Sequence, residues 1–139
     1  NIYNKVYHNY STNALKLRGY IIYNKLNVVE ELHAAYFAVT KEEMRRFKFI
    51  KGDLEGVVNI PQQIKGLKLS ISLREDTEKP NLVLVSLRSS NGFHCQPMAV
   101  RFFNGGGHAD ASGGKLHCSI KEAEQIALKA ILAFKDELR

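Results

Sequence analysis

An α+β fold of the α/β type is predicted from this sequence: a single domain built on a mixed sheet of about five strands flanked by helices. Three observations carry that expectation. Residues 67–74 alternate apolar and polar without a fault (Leu-Lys-Leu-Ser-Ile-Ser-Leu-Arg), the period of a strand with two different faces. Residues 82–88 form a second apolar-rich run, and 75–81, with Pro80 near its end, reads as the hairpin loop between them. Residues 120–138 change to a helical period that sets Ile120, Ala123, Ala127, Ile131 and Phe134 on one stripe. With 139 residues the chain is long enough to bury one core.

The remaining elements follow in order. Residues 1–10 are polar and tyrosine-rich with no helical period, and read as a linker; the domain proper is expected over 11–139. Ser11 or Thr12 caps a helix running to about Asn24, with Leu15, Tyr20 and Ile22 among its apolar positions. A strand begins at Val28, and His33 to Thr40 is a second one, apolar enough to be central. Thr40 caps another helix, whose first turn carries Glu42 and Glu43 where the helix dipole favours carboxylates. Gly52-Asp53 breaks the chain before a short helix from Leu54 to Gln63. Pro97 suits the first turn of a helix through Phe103. Leu116 to Ser119 is the last strand before the long helix.

Lys and Arg outnumber Asp and Glu by 20 to 14, a net charge of +6 that favours a polyanionic partner such as nucleic acid, nucleotide or anionic lipid. No apolar run approaches the roughly 20 residues of a membrane span, and no signal-like segment opens the chain, so the expected partner is not a membrane and the expected location is the cytoplasm. Cys95 and Cys118 read as free thiols of a reducing compartment. The chain opens on Asn1 rather than Met, as a fragment, a processed product or a trimmed chain would.

The most informative segment is residues 105–114, Gly-Gly-Gly-His-Ala-Asp-Ala-Ser-Gly-Gly. Consecutive glycines are poor material for regular structure, and suit a main chain that must pass close to something while pointing bare N–H groups at it. Ala109 to Ser112 read as the first turn of a short helix closed by Gly113-Gly114, so that amides, a helix N-terminus and the His108 imidazole form an anion cradle. Arg88-Ser89-Ser90 at a strand end adds a guanidinium and two hydroxyls suited to phosphate. The dipeptides His94-Cys95 and His117-Cys118 lack zinc-ligand spacing. Arg45, Arg46, Lys48 and Lys51, interleaved with Phe47 and Phe49, suit either a nucleic-acid surface or an amphipathic helix with buried phenylalanines. No catalytic triad or paired catalytic carboxylates are legible.

Residues 105–113 closely resemble the GGGHxxAAG signature of the DHH-associated domain, the C-terminal half of DHH-family phosphoesterases. Two further segments are similar to that family: Gly-Asp53-Leu-Glu55-Gly56-Val-Val-Asn59 to its D-x-EG-hydrophobic-VN helix start, and Val85-Ser-Leu-Arg88-Ser89 to its VSxRS strand. Order and spacing resemble the oligoribonuclease branch, whose members also hydrolyse 3′-phosphoadenosine 5′-phosphate; Ser112 departs from the usual Ala. The similarity spans residues 11–138. It implies a substrate-binding domain for short RNA or nucleoside bisphosphates, with Arg88, Ser89, Gly105, Gly106, Gly107 and His108 as the binding residues. The Asp-His-His motif of the catalytic half does not occur in the chain. The resemblance therefore implies no catalytic residue and no bound cofactor here; divalent metal, usually manganese, belongs to an N-terminal catalytic domain that residues 1–10 would join. The parent is then a hydrolase, and this piece alone is expected to be inactive. Two alternatives stay open: a freestanding nucleotide- or nucleic-acid-binding module, and the same domain from a single-strand DNA exonuclease or a cyclic-dinucleotide phosphodiesterase.

Overall fold

The alternation of residues 67–74 becomes the centre of a six-stranded mixed sheet in a computed structural model, which describes residues 12–48 and 58–139. The elements are α1 (Thr12–Tyr20) with a π-helical continuation (Ile21–Lys25), β1 (Asn27–Val29), β2 (Ala34–Val39), α2 (Lys41–Arg46), a 3-10 turn (Ile60–Gln63), β3 (Leu69–Glu75), β4 (Val83–Ser89), α3 (Gln96–Phe102), β5 (Gly106–Gly107), β6 (Ala111–Leu116), α4 (Ile120–Ala133) and α5 (Lys135–Leu138). Strand order is β1-β2-β3-β4-β6-β5, with β2 and β3 parallel and every other pair antiparallel.

Alternation sorts the side chains onto two faces. Leu69, Ile71 and Leu73 join Val83, Val85 and Leu87 in the main core, under Met98, Ala99 and Phe103 and under Ala123, Ala127, Ala130 and Ile131 of α4. Ser119 caps α4 by accepting the Glu122 N–H at 3.2 Å, and the predicted apolar stripe is the buried one, with Ile120 and Phe134 at its margin. The helix does not run unbroken to Leu138. It stops at Phe134, and α5 turns back to bury Leu138, whose carbonyl accepts from His33 Nδ1 at 2.7 Å.

On the second face Leu17, Ile21, Phe37, Val39 and Met44 form a smaller core. The stripe of α1 is therefore Ala14, Leu17 and Ile21, and the expected Leu15 and Ile22 lie on the exposed side. Of the predicted 54–63 helix, Ile60–Gln63 forms a 3-10 turn and residues 54–57 lie outside the described residues, as does the 1–10 linker. Two strand expectations are corrected. The last long strand is Ala111–Leu116, not 116–119, because Gly113 and Gly114 continue a ladder with β4 (Val85↔Gly114, Ser86↔Gly113). The two-residue β5 adds the sixth strand.

One buried charge ties the second face together. Glu43 is 7% exposed and accepts from the Tyr20 hydroxyl, from Thr40 N–H at 2.9 Å and from Lys25 at 3.3 Å, while its own N–H donates to Thr40 Oγ1 at 3.1 Å. This completes the capping box that starts α2. Burial alone pushes the Glu43 carboxyl up, but the Thr40 amide, the Tyr20 hydroxyl and Lys25 together outweigh it, so it sits below the ordinary glutamate range. A carboxyl lowered on folding contributes stability above its unfolded value, about 4.3, and that contribution is lost as pH falls through the folded value. Urea titrations should therefore show wild-type stability falling more steeply on acidification below about pH 4.5 than in Glu43→Gln. Equal slopes would remove Glu43 from that role.

Candidate functional site

Register brings the start of β3 and the end of β4 to one end of the sheet, through Ala34↔Leu69 and Leu69↔Ser89. The hairpin that follows β5 arrives at the same end, since Arg88 pairs with Ala111. His108 N–H donates to the Ala111 carbonyl at 3.0 Å, closing a tight turn over Ala109 and Asp110. Arg88 thus pairs with Ala111, and Ala111 is bonded in turn to His108 across the hairpin turn.

The glycine segment is thus a β-hairpin. Ala109 to Ser112 do not start a helix, and the expected helix N-terminus is absent from the cradle. The glycines are needed for close approach: a Cβ on Gly105 would lie 1.7 Å from the Gly113 carbonyl oxygen, and one on Gly114 would lie 2.1 Å from that of Phe103. Gly107 has φ +138, which side chains rarely adopt. Gly105 N–H is held by the Ala99 carbonyl at 3.0 Å. Gly106 faces Gly113 in the ladder, so on the alternate phase the Gly107 amide points to the open edge.

Arg88 is half-buried. Its Nε donates to Asn59 Oδ1 at 3.2 Å and one Nη to the Leu87 carbonyl at 2.9 Å, which aims the guanidinium and leaves its other Nη without a partner among the described residues. Gln62 locks the 3-10 turn beneath it, donating to Ser70 Oγ and to the Arg88 carbonyl, both at 3.2 Å. Ser90 Oγ lies 2.6 Å from Gln62 Oε1 and 2.9 Å from the Leu67 carbonyl.

Ser89 faces the other way. It is buried, its hydroxyl accepts from Cys95 N–H at 2.9 Å and donates to Asp110 Oδ1 at 3.0 Å. Asp110 also meets His94 Nδ1 at 2.9 Å, while its carbonyl accepts from Ser89 N–H at 3.0 Å. The hydrogen bond from His94, then that from Ser89, holds the Asp110 carboxyl below the ordinary aspartate range.

The structure thus gathers Arg88, Ser89, the glycine hairpin and His108 at one end, and adds Asn59, His94 and Asp110. Asn59 stood in a recognised segment, but its bond to Arg88 spans 29 residues and has no local signal. The His94–Asp110 pair likewise spans 16 residues. Arg45, Arg46 and Lys48 fall at the opposite end, where Lys41 N–H donates to Glu75 at 2.9 Å. There Arg46 stacks on Tyr20 and Phe47, with Phe47 half-buried; Lys51 and Phe49 lie outside the described residues. Among the described residues no three His, Cys, Asp or Glu side chains converge as a metal set, and no helix is long and apolar enough to cross a membrane.

The family model for the DHHA1 domain matches residues 30–137. The chain belongs to the DHHA1 family. Among solved structures, an exopolyphosphatase-related protein from Bacteroides fragilis is 44% identical with a TM-score of 0.89, over 99% of this chain and 39% of its own. A pGpG-specific phosphodiesterase from Vibrio cholerae shares the fold at 15% identity and TM-score 0.62, over 91% of this chain and 40% of its own. The C-Ala domain of Aquifex aeolicus alanyl-tRNA synthetase shares it at 14% identity and TM-score 0.50, over 76% of this chain and 89% of its own. Comparison with curated proteins returns no match. This DHHA1 chain thus spans about two fifths of the length of the Bacteroides relative.

The close backbone contact makes a sharp prediction. Gly105→Ala and Gly114→Ala should each lower stability by about 3 kcal/mol, the upper part of the overpacking range. Gly19→Ala, with nothing within 4 Å of the new Cβ, should leave it unchanged or raise it by about 0.5–1 kcal/mol. Denaturant melts of the three variants check this, and a neutral Gly105→Ala would refute the contact.

Proposed function

We propose that this DHHA1 domain is the substrate-binding half of a DHH-family phosphoesterase acting on short RNA or nucleoside bisphosphates. The observation that carries the reading is the linked set Arg88–Ala111–His108, where an aimed guanidinium and an exposed imidazole flank a small residue at the hairpin tip. A phosphate seated there meets charged or chargeable donors on two sides and the Gly107 amide at the open edge. Gly105 and Gly106 shape the hairpin that carries that amide, and Ser89 serves from behind by fixing Asp110. The net charge of +6 draws a polyanion toward the surface.

The same reading gives hydrolysis to the parent protein and to a metal-bearing half outside this chain, manganese by family resemblance. The work of the residues here is to hold and orient: Arg88 grips a phosphate oxygen, His108 reaches over the hairpin tip, and Asn59 keeps the guanidinium from swinging away.

The test is an NMR titration of this chain with a 5′-phosphorylated RNA trimer, with manganese present and products assayed in parallel. Shifts should cluster at Arg88, Gly107 and His108 with no hydrolysis. Arg88→Ala and His108→Ala should each weaken binding by about 1–3 kcal/mol, the scale of a charge-assisted contact. Unchanged affinity in both would overturn the site assignment, and binding of inorganic polyphosphate in place of the trimer would redirect the substrate class.

A further inference from the structure

The groups assigned so far to the binding face are all donors or cations. His94 is different. Its side chain is 61% exposed, its Nδ1 lies 2.9 Å from Asp110 Oδ1, and its Nε2 has no partner among the described residues. An ionised carboxylate only accepts hydrogen bonds, so the shared proton belongs on Nδ1 and a neutral imidazole must present Nε2 as an acceptor. Free histidine carries its proton on Nε2 more often, so the arrangement is imposed from outside the ring. Asp110 itself is braced: Ser89 Oγ donates to the same carboxylate oxygen, and Gln96 N–H donates to the neighbouring Ala109 carbonyl at 3.3 Å.

An acceptor lone pair repels phosphate oxygens and attracts a hydroxyl. Asp110 stands two residues beyond His108 in the same turn, so the acceptor lies at the same end of the sheet as Arg88 and His108, on the Ser89 side. The group next to a phosphate along a nucleic acid is the sugar. We propose that His94, held by Asp110 with Nε2 unprotonated, accepts a hydrogen bond from a ribose 2′-hydroxyl and gives the site its preference for RNA over DNA. The inference rests on the short-nucleic-acid reading given above. His94 is a specificity residue in it, and Asp110 and Ser89 are positioning residues.

The experiment titrates this chain with a 5′-phosphorylated RNA trimer and with its 2′-deoxy counterpart, at about pH 8, where an ordinary imidazole is neutral. Long-range proton–nitrogen spectra report which ring nitrogen of His94 carries hydrogen. Wild type should favour the RNA trimer by about three- to tenfold, the worth of one neutral hydrogen bond, with Nδ1 protonated. His94→Ala should bind both trimers alike, at the wild-type affinity for the deoxy trimer. In Asp110→Ala the acceptor that holds the proton on Nδ1 is gone, so the proton should shift toward Nε2 and the preference should vanish while binding persists. A sugar preference retained in His94→Ala, one that follows base identity instead, or Nε2 protonated in wild type would each overturn the inference. Equal wild-type binding of both trimers would overturn it and leave the phosphate site standing. If neither trimer binds, the proposed function fails first and the inference falls with it.

Discussion

Two stretches of main chain, 103–107 and 111–115, lie closer together than side chains permit, and the candidate site depends on that approach. Gly105 meets Gly113 and Gly114 meets Phe103 at distances that a single methyl group would destroy. Because the contact is backbone on backbone, no rotamer can adjust to relax it, and the turn carrying His108 and Asp110 inherits its position from rigid geometry. Lys115 N–H to the Phe103 carbonyl at 2.9 Å and Gly105 N–H to the Ala99 carbonyl at 3.0 Å then fasten the hairpin to the sheet and to α3.

From that fixed turn the site divides between the two faces of the sheet. Arg88 shares its face with Ser70 and is served by Gln62 and Asn59; Ser89, one residue on, points to the core side and serves Asp110. A strand's period of two thus lets adjacent residues attend to different parts of one site. The main core lends support, since Cys95 is buried and its N–H fixes the Ser89 hydroxyl. The candidate site is in this way tied by a hydrogen bond to packing beneath α3.

Much of this was legible in the sequence, and the misses have physical causes. The clean alternation of 67–74 and the stripe of α4 report burial directly, so strand and helix were correctly expected there. The buried face of α1 is not legible from apolar positions alone, because two apolar rows run one residue apart and only Ala14, Leu17 and Ile21 are buried. β6 was missed because Gly113 and Gly114 have little intrinsic preference for a strand; tertiary proximity, not propensity, places them there. For the site, Arg88 and the glycine–histidine segment stood out by chemical type and family resemblance. Asn59, His94 and Asp110 acquire their roles only when distant segments meet.

The shape of the sheet has one more consequence. Its two borders are β1, three residues long, and β5, two residues long, while the longest strands lie inside. A border that short offers a neighbouring molecule too few unpaired amides and carbonyls to template an added strand. The glycine pair of the hairpin therefore also makes one border of the sheet a two-residue stub.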